Sequence, residues 1–277
     1  MTASTATLRP TPATTGLGSS WNRSAQAFLA ILHRDLHVTR RELPAFLTQV
    51  VLQPLFLLFV FGKVLTELGY TRPGYTSVLF PGIVALTAFV TALQGIALPL
   101  SVEFSFTGDV QDRLQAPLPT SLVAVEKLLF STLRALAAAA IMFPLGILVL
   151  GVIPWRGEGL PMAIAILTLA ALNGSATGLI LGTLATANRI SLVFALVLTP
   201  LLFTGCSQYP WQSLAQLPWF QVITACNPLT YASEGLRTAL SPQIPHLPGW
   251  ACVLALTGWS LLLGAAGIRG FLRRALD

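Results

Sequence analysis

Charge is what this 277-residue sequence has least of: Asp, Glu, Lys and Arg together make up 9% of it, against about 25% in a typical soluble domain. Apolar residues make up 54%, which argues against both a disordered chain and a soluble enzyme. Three cysteines are too few for a disulfide framework, and no CxxC or Cys/His spacing marks a zinc site. The three histidines, His33, His37 and His246, fall outside every long apolar run. An intramembrane hydrolase would therefore have neither a base nor a ligand set. His33 and His37 have the i, i+4 spacing of a metal pair, but no third ligand lies nearby, and two solvated histidines on a polar face account for them. No phosphate loop of the form GxxxxGK(S/T) occurs, so any ATP that drives this protein is bound by another chain. Nor does an ionisable residue sit near the middle of an apolar run, where it would cost at least ~2.5 to 3.5 kcal/mol and persist only for a use. Proton or sodium coupling through this chain is disfavoured.

What the sequence does have is long apolar runs, at 46–66, 77–100, 128–150, 161–184, 190–206 and 249–268. A crossing takes about 20 mostly apolar residues, so each is a candidate span, the fifth being short. The expected fold is an all-α polytopic membrane protein with six transmembrane helices over 45–277. Residues 207–247, apolar, aromatic and rich in proline, read as outer re-entrant helices before the last span. Residues 1–18 hold six threonines, two prolines and one charge, Arg9, and read as a disordered cytoplasmic tail. Nothing before Phe46 supplies the apolar core of a secretory signal. In 19–44, Trp21, Ala25, Phe28, Leu32 and Leu36 recur at helical spacing, with Arg23, His33, Arg34, Arg40 and Arg41 on other faces. That stripe predicts an amphipathic interfacial helix on the inner membrane surface, though a helix packed on a soluble partner would show it too.

With both ends inside, the inner segments hold twelve Lys and Arg: Arg9, Arg23, Arg34, Arg40, Arg41, Arg113, Lys127, Arg134, Arg189, Arg269, Arg273 and Arg274. The outer segments hold four, Lys63, Arg72, Arg156 and Arg237. This is a strong positive-inside bias, and Trp155, Trp211, Trp219 and Trp250 all fall on the outer side, where indoles favour the interface. Arg134 and Lys63 lie near enough to the ends of their spans to reach headgroups. Within the spans, Gly174, Gly178 and Gly182 recur every four residues and allow close helix contact, either inside one subunit or at a dimer seam. Gln49 and Gln53 flank a kink at Pro54 and either satisfy its freed carbonyl or line a polar path. A path of that kind would run past Gln49, Gln53, Gln94 and Asn173.

Two segments carry more specific information. Glu103 to Lys127 reads EFSFTGDVQDRLQAPLPTSLVAVEK, and Asn227 to Arg237 reads NPLTYASEGLR. The first resembles the signature of ABC-2 type transporter permeases: an acidic stretch, then Gly, an apolar residue, Leu and Pro-Leu, before a helix with Lys near its start. Those positions are Glu103, Gly108, Val110, Leu114, Pro117, Leu118 and Lys127. The second is similar to the family's NPLTY segment with an acidic residue and a Leu-Arg pair before the last helix. In the first segment Asp109 and Gln111 depart from the pattern, standing where the family more often has Thr or Ser, and Glu.

The resemblance implies a dimer of permease chains, identical or paralogous, joined to two copies of a cytoplasmic ATP-binding-cassette ATPase that hold ATP and Mg; no cofactor belongs to this chain. It implies outward movement of a lipid-like, drug-like or other amphiphilic substrate in a bacterial cytoplasmic (inner) membrane, with no nucleic acid as partner and no catalytic or metal site. In the family the 103–120 loop forms a short helix that docks on the ATPase. Here Glu103, Gly108, Asp109, Val110, Asp112, Arg113, Leu114 and Pro117 are its candidates, with Val110 and Leu114 at i, i+4 as an apolar face; a solvated loop capped by prolines is the plainer reading. Asn227, Pro228, Tyr231, Glu234 and Arg237 are candidates for an outer gate or structural motif, with Glu234 and Arg237 pairing near the outer headgroups. A polysaccharide or glycolipid exporter of the same fold, and a membrane assembly protein that transports nothing, are the competing classes.

Overall fold

The computed structural model describes residues 51–104, 120–151, 153–155, 157–186 and 188–276. The 1–18 tail, the 19–44 helix, Gln49 and the loop residues Gly108, Asp109, Val110, Asp112, Arg113, Leu114 and Pro117 lie outside them. Among the described residues the secondary structure is helical, without strands. Helix α1 covers 51–67 and is α-helical except for a π-helical stretch, Leu58–Val64. Then come α2 (Tyr75–Val102), α3 (Thr120–Leu150), α4 (Leu160–Leu184) and α5 (Ile190–Thr204). Two short helices, α6 (Pro218–Ala225) and α7 (Pro228–Leu240), precede α8 (Gly249–Leu276).

Four of the described helices, corresponding to α2, α3, α4 and α8, are long and apolar enough to cross a membrane. Helix α5 has 15 residues, a rise of about 22 Å, short of the ~30 Å hydrocarbon core. Apolar runs mark these helices well, but two helices outrun them. Helix α3 begins at Thr120, eight residues before its apolar run, because Glu126 and Lys127 interrupt hydropathy and not the helix. Helix α8 continues past 268 to Leu276 for the same reason, carrying Arg269, Arg273 and Arg274.

The core is built around α2, which packs on both α3 and α4, themselves in contact, with α8 on the side of α4 away from α2. Residues Leu79 to Phe89 of α2 are buried without a break, so polarity reading alone could give this helix no outward face. Backbones approach closely here. A Cβ placed on Gly174 would lie 2.2 Å from the Phe89 carbonyl oxygen, and one on Gly178 would lie 2.4 Å from that of Leu93. The glycine stripe of α4 thus packs on α2 of its own chain. Across α4 and α8, the Asn173 amide donates to the Leu256 carbonyl at 3.0 Å and to Ser260 Oγ at 2.9 Å.

Candidate functional site

Short helices between spans leave many backbone groups without partners, since the last four carbonyls of each helix have none inside it. The segment from Asn227 to Arg237 meets that need residue by residue. Asn227 caps α7 by accepting from the Leu229 amide at 2.9 Å, and Pro228 at N1 has no amide to satisfy. The Asn227 Nδ2 donates to the Leu201 carbonyl and to Thr204 Oγ1, at 2.9 and 2.8 Å, closing the end of α5. Thr230 lies against the carbonyls of both Thr204 and Thr224. Tyr231 donates to the Ala225 carbonyl at 2.7 Å, ending α6, and Ser233 donates to that of Gly205 at 3.0 Å. Three polar side chains on one helix and a fourth at its N-cap therefore close two others.

Glu234 and Arg237 complete the clasp. Arg237 Nη1 donates to Glu234 Oε1 at 2.7 Å, and both side chains are fully buried. Three further guanidinium donors reach backbone: Nε to the Val78 carbonyl at 3.0 Å, and Nη2 to those of Cys206 at 2.6 Å and Ser207 at 3.1 Å. Glu234 accepts from the amide of Trp211 at 2.9 Å and that of Leu247 at 3.0 Å. A buried charge pair is tolerated only when its other donors and lone pairs are also bonded, and here the loops on both sides of α6 and α7 supply the partners. The pair is buried inside the protein: the i, i+3 spacing announces the contact but says nothing about what will cover it.

Sequence reasoning missed the residues that make room for this clasp. Gly82 of α2 is one: a Cβ there would lie 1.8 Å from the Ser207 carbonyl oxygen and 2.9 Å from Arg237 Nη2. Cys206 is another, with φ of +50°, a left-handed conformation that aims its carbonyl at Arg237. Tyr75, the first residue of α2, donates to the Gln208 carbonyl at 3.1 Å, and Trp211 Nε1 donates to that of Gln221 at 3.2 Å. Only a glycine in an apolar run could have drawn notice, and that run also holds Gly95. The three cysteines are free, Cys206 and Cys252 buried and Cys226 exposed.

The polar-path candidates separate. Gln53 and Gln94 line one small cavity of about 20 Å³ together with Pro54, Thr87 and Thr91, room for about one water. Asn173 is fully buried against α8, away from that cavity. At the opposite end of the bundle from the clasp, Glu103 ends α2 and Lys127 stands on the second turn of α3. Lys127 Nζ binds both Glu103 oxygens, at 2.9 and 2.8 Å, tying together the two roots of the 105–119 connection.

The profile of the family described as ABC-2 type transporter matches residues 26–240. The chain belongs to that family. Both signature-like segments, around Glu103 to Lys127 and Asn227 to Arg237, fall inside the match. Among curated proteins, "Putative transport permease ycf38" of Cyanophora paradoxa is 28% identical over 221 residues, 76% of this chain and 72% of the relative. The protein of the same name from Pyropia yezoensis is 28% identical over 236 residues, 83% of this chain and 78% of the relative. Membership makes this chain a transporter permease, and the clasp and the paired roots are features of that permease.

Proposed function

We propose that the chain is the membrane subunit of an ATP-driven exporter, one of a pair of permease chains joined to two ATP-binding-cassette ATPase subunits that hold ATP and Mg. What carries this reading is family membership over 26–240 in a chain with no phosphate loop of its own. Energy then has to enter through a surface shared with a partner. The 103–120 connection is the longest expected inner link between spans, and Lys127 and Glu103 hold its two roots together, so a push on it moves α2 and α3 as one. The substrate is a lipid-like or drug-like amphiphile moved outward. Aromatics are 9% of the chain and most of its tryptophans belong to the expected interface, which leaves few for stacking on a long sugar chain. Both termini face the cytoplasm by the positive-inside bias, in a bacterial cytoplasmic membrane.

The test is the double substitution Val110→Asp with Leu114→Asp. It is expected to detach the ATPase, or to leave it bound with hydrolysis uncoupled from export, while the permease still inserts and dimerises. The readouts are co-purification of the ATPase and substrate-stimulated hydrolysis in liposomes. Unchanged values for both would remove this connection as the coupling element.

A further inference from the structure

Three arginines stand near the end of α8, and they are not alike. Arg269 and Arg273 are exposed, as expected of side chains reaching for headgroups. Arg274 turns inward. Its Nη1 donates to the carbonyls of Gly182, Thr183 and Ala185, at the end of α4, where helix carbonyls lack partners and the helix dipole is negative. The same guanidinium lies over the Phe104 ring, 4.7 Å from its centroid, within cation–π range.

Phe104 is the last described residue before the 105–119 connection, and it is held from a second side. Its ring meets Phe271 of α8 at 5.8 Å, edge on. Phe271 is fully buried in a cluster with Leu100 of α2, Val123 and Ala124 of α3 and Leu179 of α4. Helices α4 and α8 lie close at this end, since a Cβ on Gly267 would come within 3.1 Å of Leu179 and one on Gly270 within 3.3 Å of Thr183. Next to Phe104, Glu103 is bound by Lys127. The root of the connection therefore cannot shift alone: leaving α8 would expose a buried ring and strip three carbonyls of their donor.

We propose that Arg274 is a positioning residue which, with Phe271, fixes the root of the 103–120 connection to α8 and α4, so that load entering at this connection carries α8 with it. This rests on the reading of that connection as the ATPase contact. Residues 271 and 274 lie beyond the family match, which ends at 240, so the role comes from the contacts alone. One nitrogen serves all the carbonyls while the flat face of the guanidinium lies on the Phe104 ring; a lysine could supply the donors but has no such face.

The permease–ATPase complex in liposomes provides the test. Arg274→Gln is expected to keep the ATPase bound and hydrolysing while transport per ATP falls roughly tenfold, the scale of one lost cation–π contact with its carbonyl bonds. Arg274→Lys falls between. A merely structural role would instead lower assembly and transport together. In a cysteine-free background, Phe104→Cys with Phe271→Cys joined by a short thiol cross-linker is expected to transport as well as the same variant unlinked, because the two positions move as one body. Transport stopped by the link, or an unchanged ratio in Arg274→Gln, overturns the inference. Failure of the underlying docking reading looks different: the Val110→Asp, Leu114→Asp variant then keeps its ATPase and its coupling whatever the link does.

Discussion

Arg237 and Glu234 face each other across one turn of α7 at 2.7 Å, and neither has any solvent exposure. Their shared neighbours come from the start of α2 and from loops on either side of α6 and α7, so one ion pair holds together segments that are distant in the chain.

Removing one member of a buried pair strands the other charge, at a cost of roughly 3 to 5 kcal/mol. Glu234→Ala and Arg237→Ala are each expected to lower the melting temperature of the detergent-purified protein sharply. Glu234→Leu with Arg237→Met is expected to be milder than either. Thermal unfolding of the three variants checks this; a double variant no better than the singles would mean that the loop bonds, and not the stranded charge, dominate.

Gly82→Ala is expected to unseat the 205–211 loop, because no side chain fits between α2 and the Ser207 carbonyl. Gly258, on the same kind of apolar helix, has open space where a Cβ would stand, and Gly258→Ala is expected to be silent. The readout is alkylation of Cys206, which is buried: rapid in Gly82→Ala, slow in Gly258→Ala and in the unsubstituted protein.

Topology is testable at two exposed positions, Asn188 between α4 and α5 and Gln212 ahead of α6. In a cysteine-free background and intact cells, a membrane-impermeant maleimide is expected to label Gln212→Cys at once and Asn188→Cys only after permeabilisation, as the twelve-to-four charge bias requires. The reverse order would invert the map.

Four of the six expected spans were legible because lipid selects apolar residues directly, and α4 was anticipated at 161–184 against an observed Leu160–Leu184. Helix ends were legible only where polarity and helix stop together, which fails at Glu126 and again at Arg269. The Asn227 to Arg237 segment could be singled out as a motif, but not as a clasp. Its partners are backbone carbonyls at Leu201, Cys206 and Val78, and a carbonyl leaves no mark in a sequence. Pro54 pointed to a bend in the first helix; the π-helical stretch one turn later, Leu58–Val64, has no composition that sets it apart. Arg274 looked like one more positive charge on the inner side, since nothing in its neighbours along the chain separates it from Arg273.

The placement of the glycine stripe on α4 bears on how two copies of a permease can meet. With Gly174 and Gly178 lying against the backbone of α2 in the same chain, that ridge is already occupied before any second chain arrives. Substituting either glycine would then damage the monomer before it touched assembly, and a seam for the proposed dimer has to be sought on helices whose apolar side is still open, such as α5 with Leu192, Leu196 and Phe203 outward.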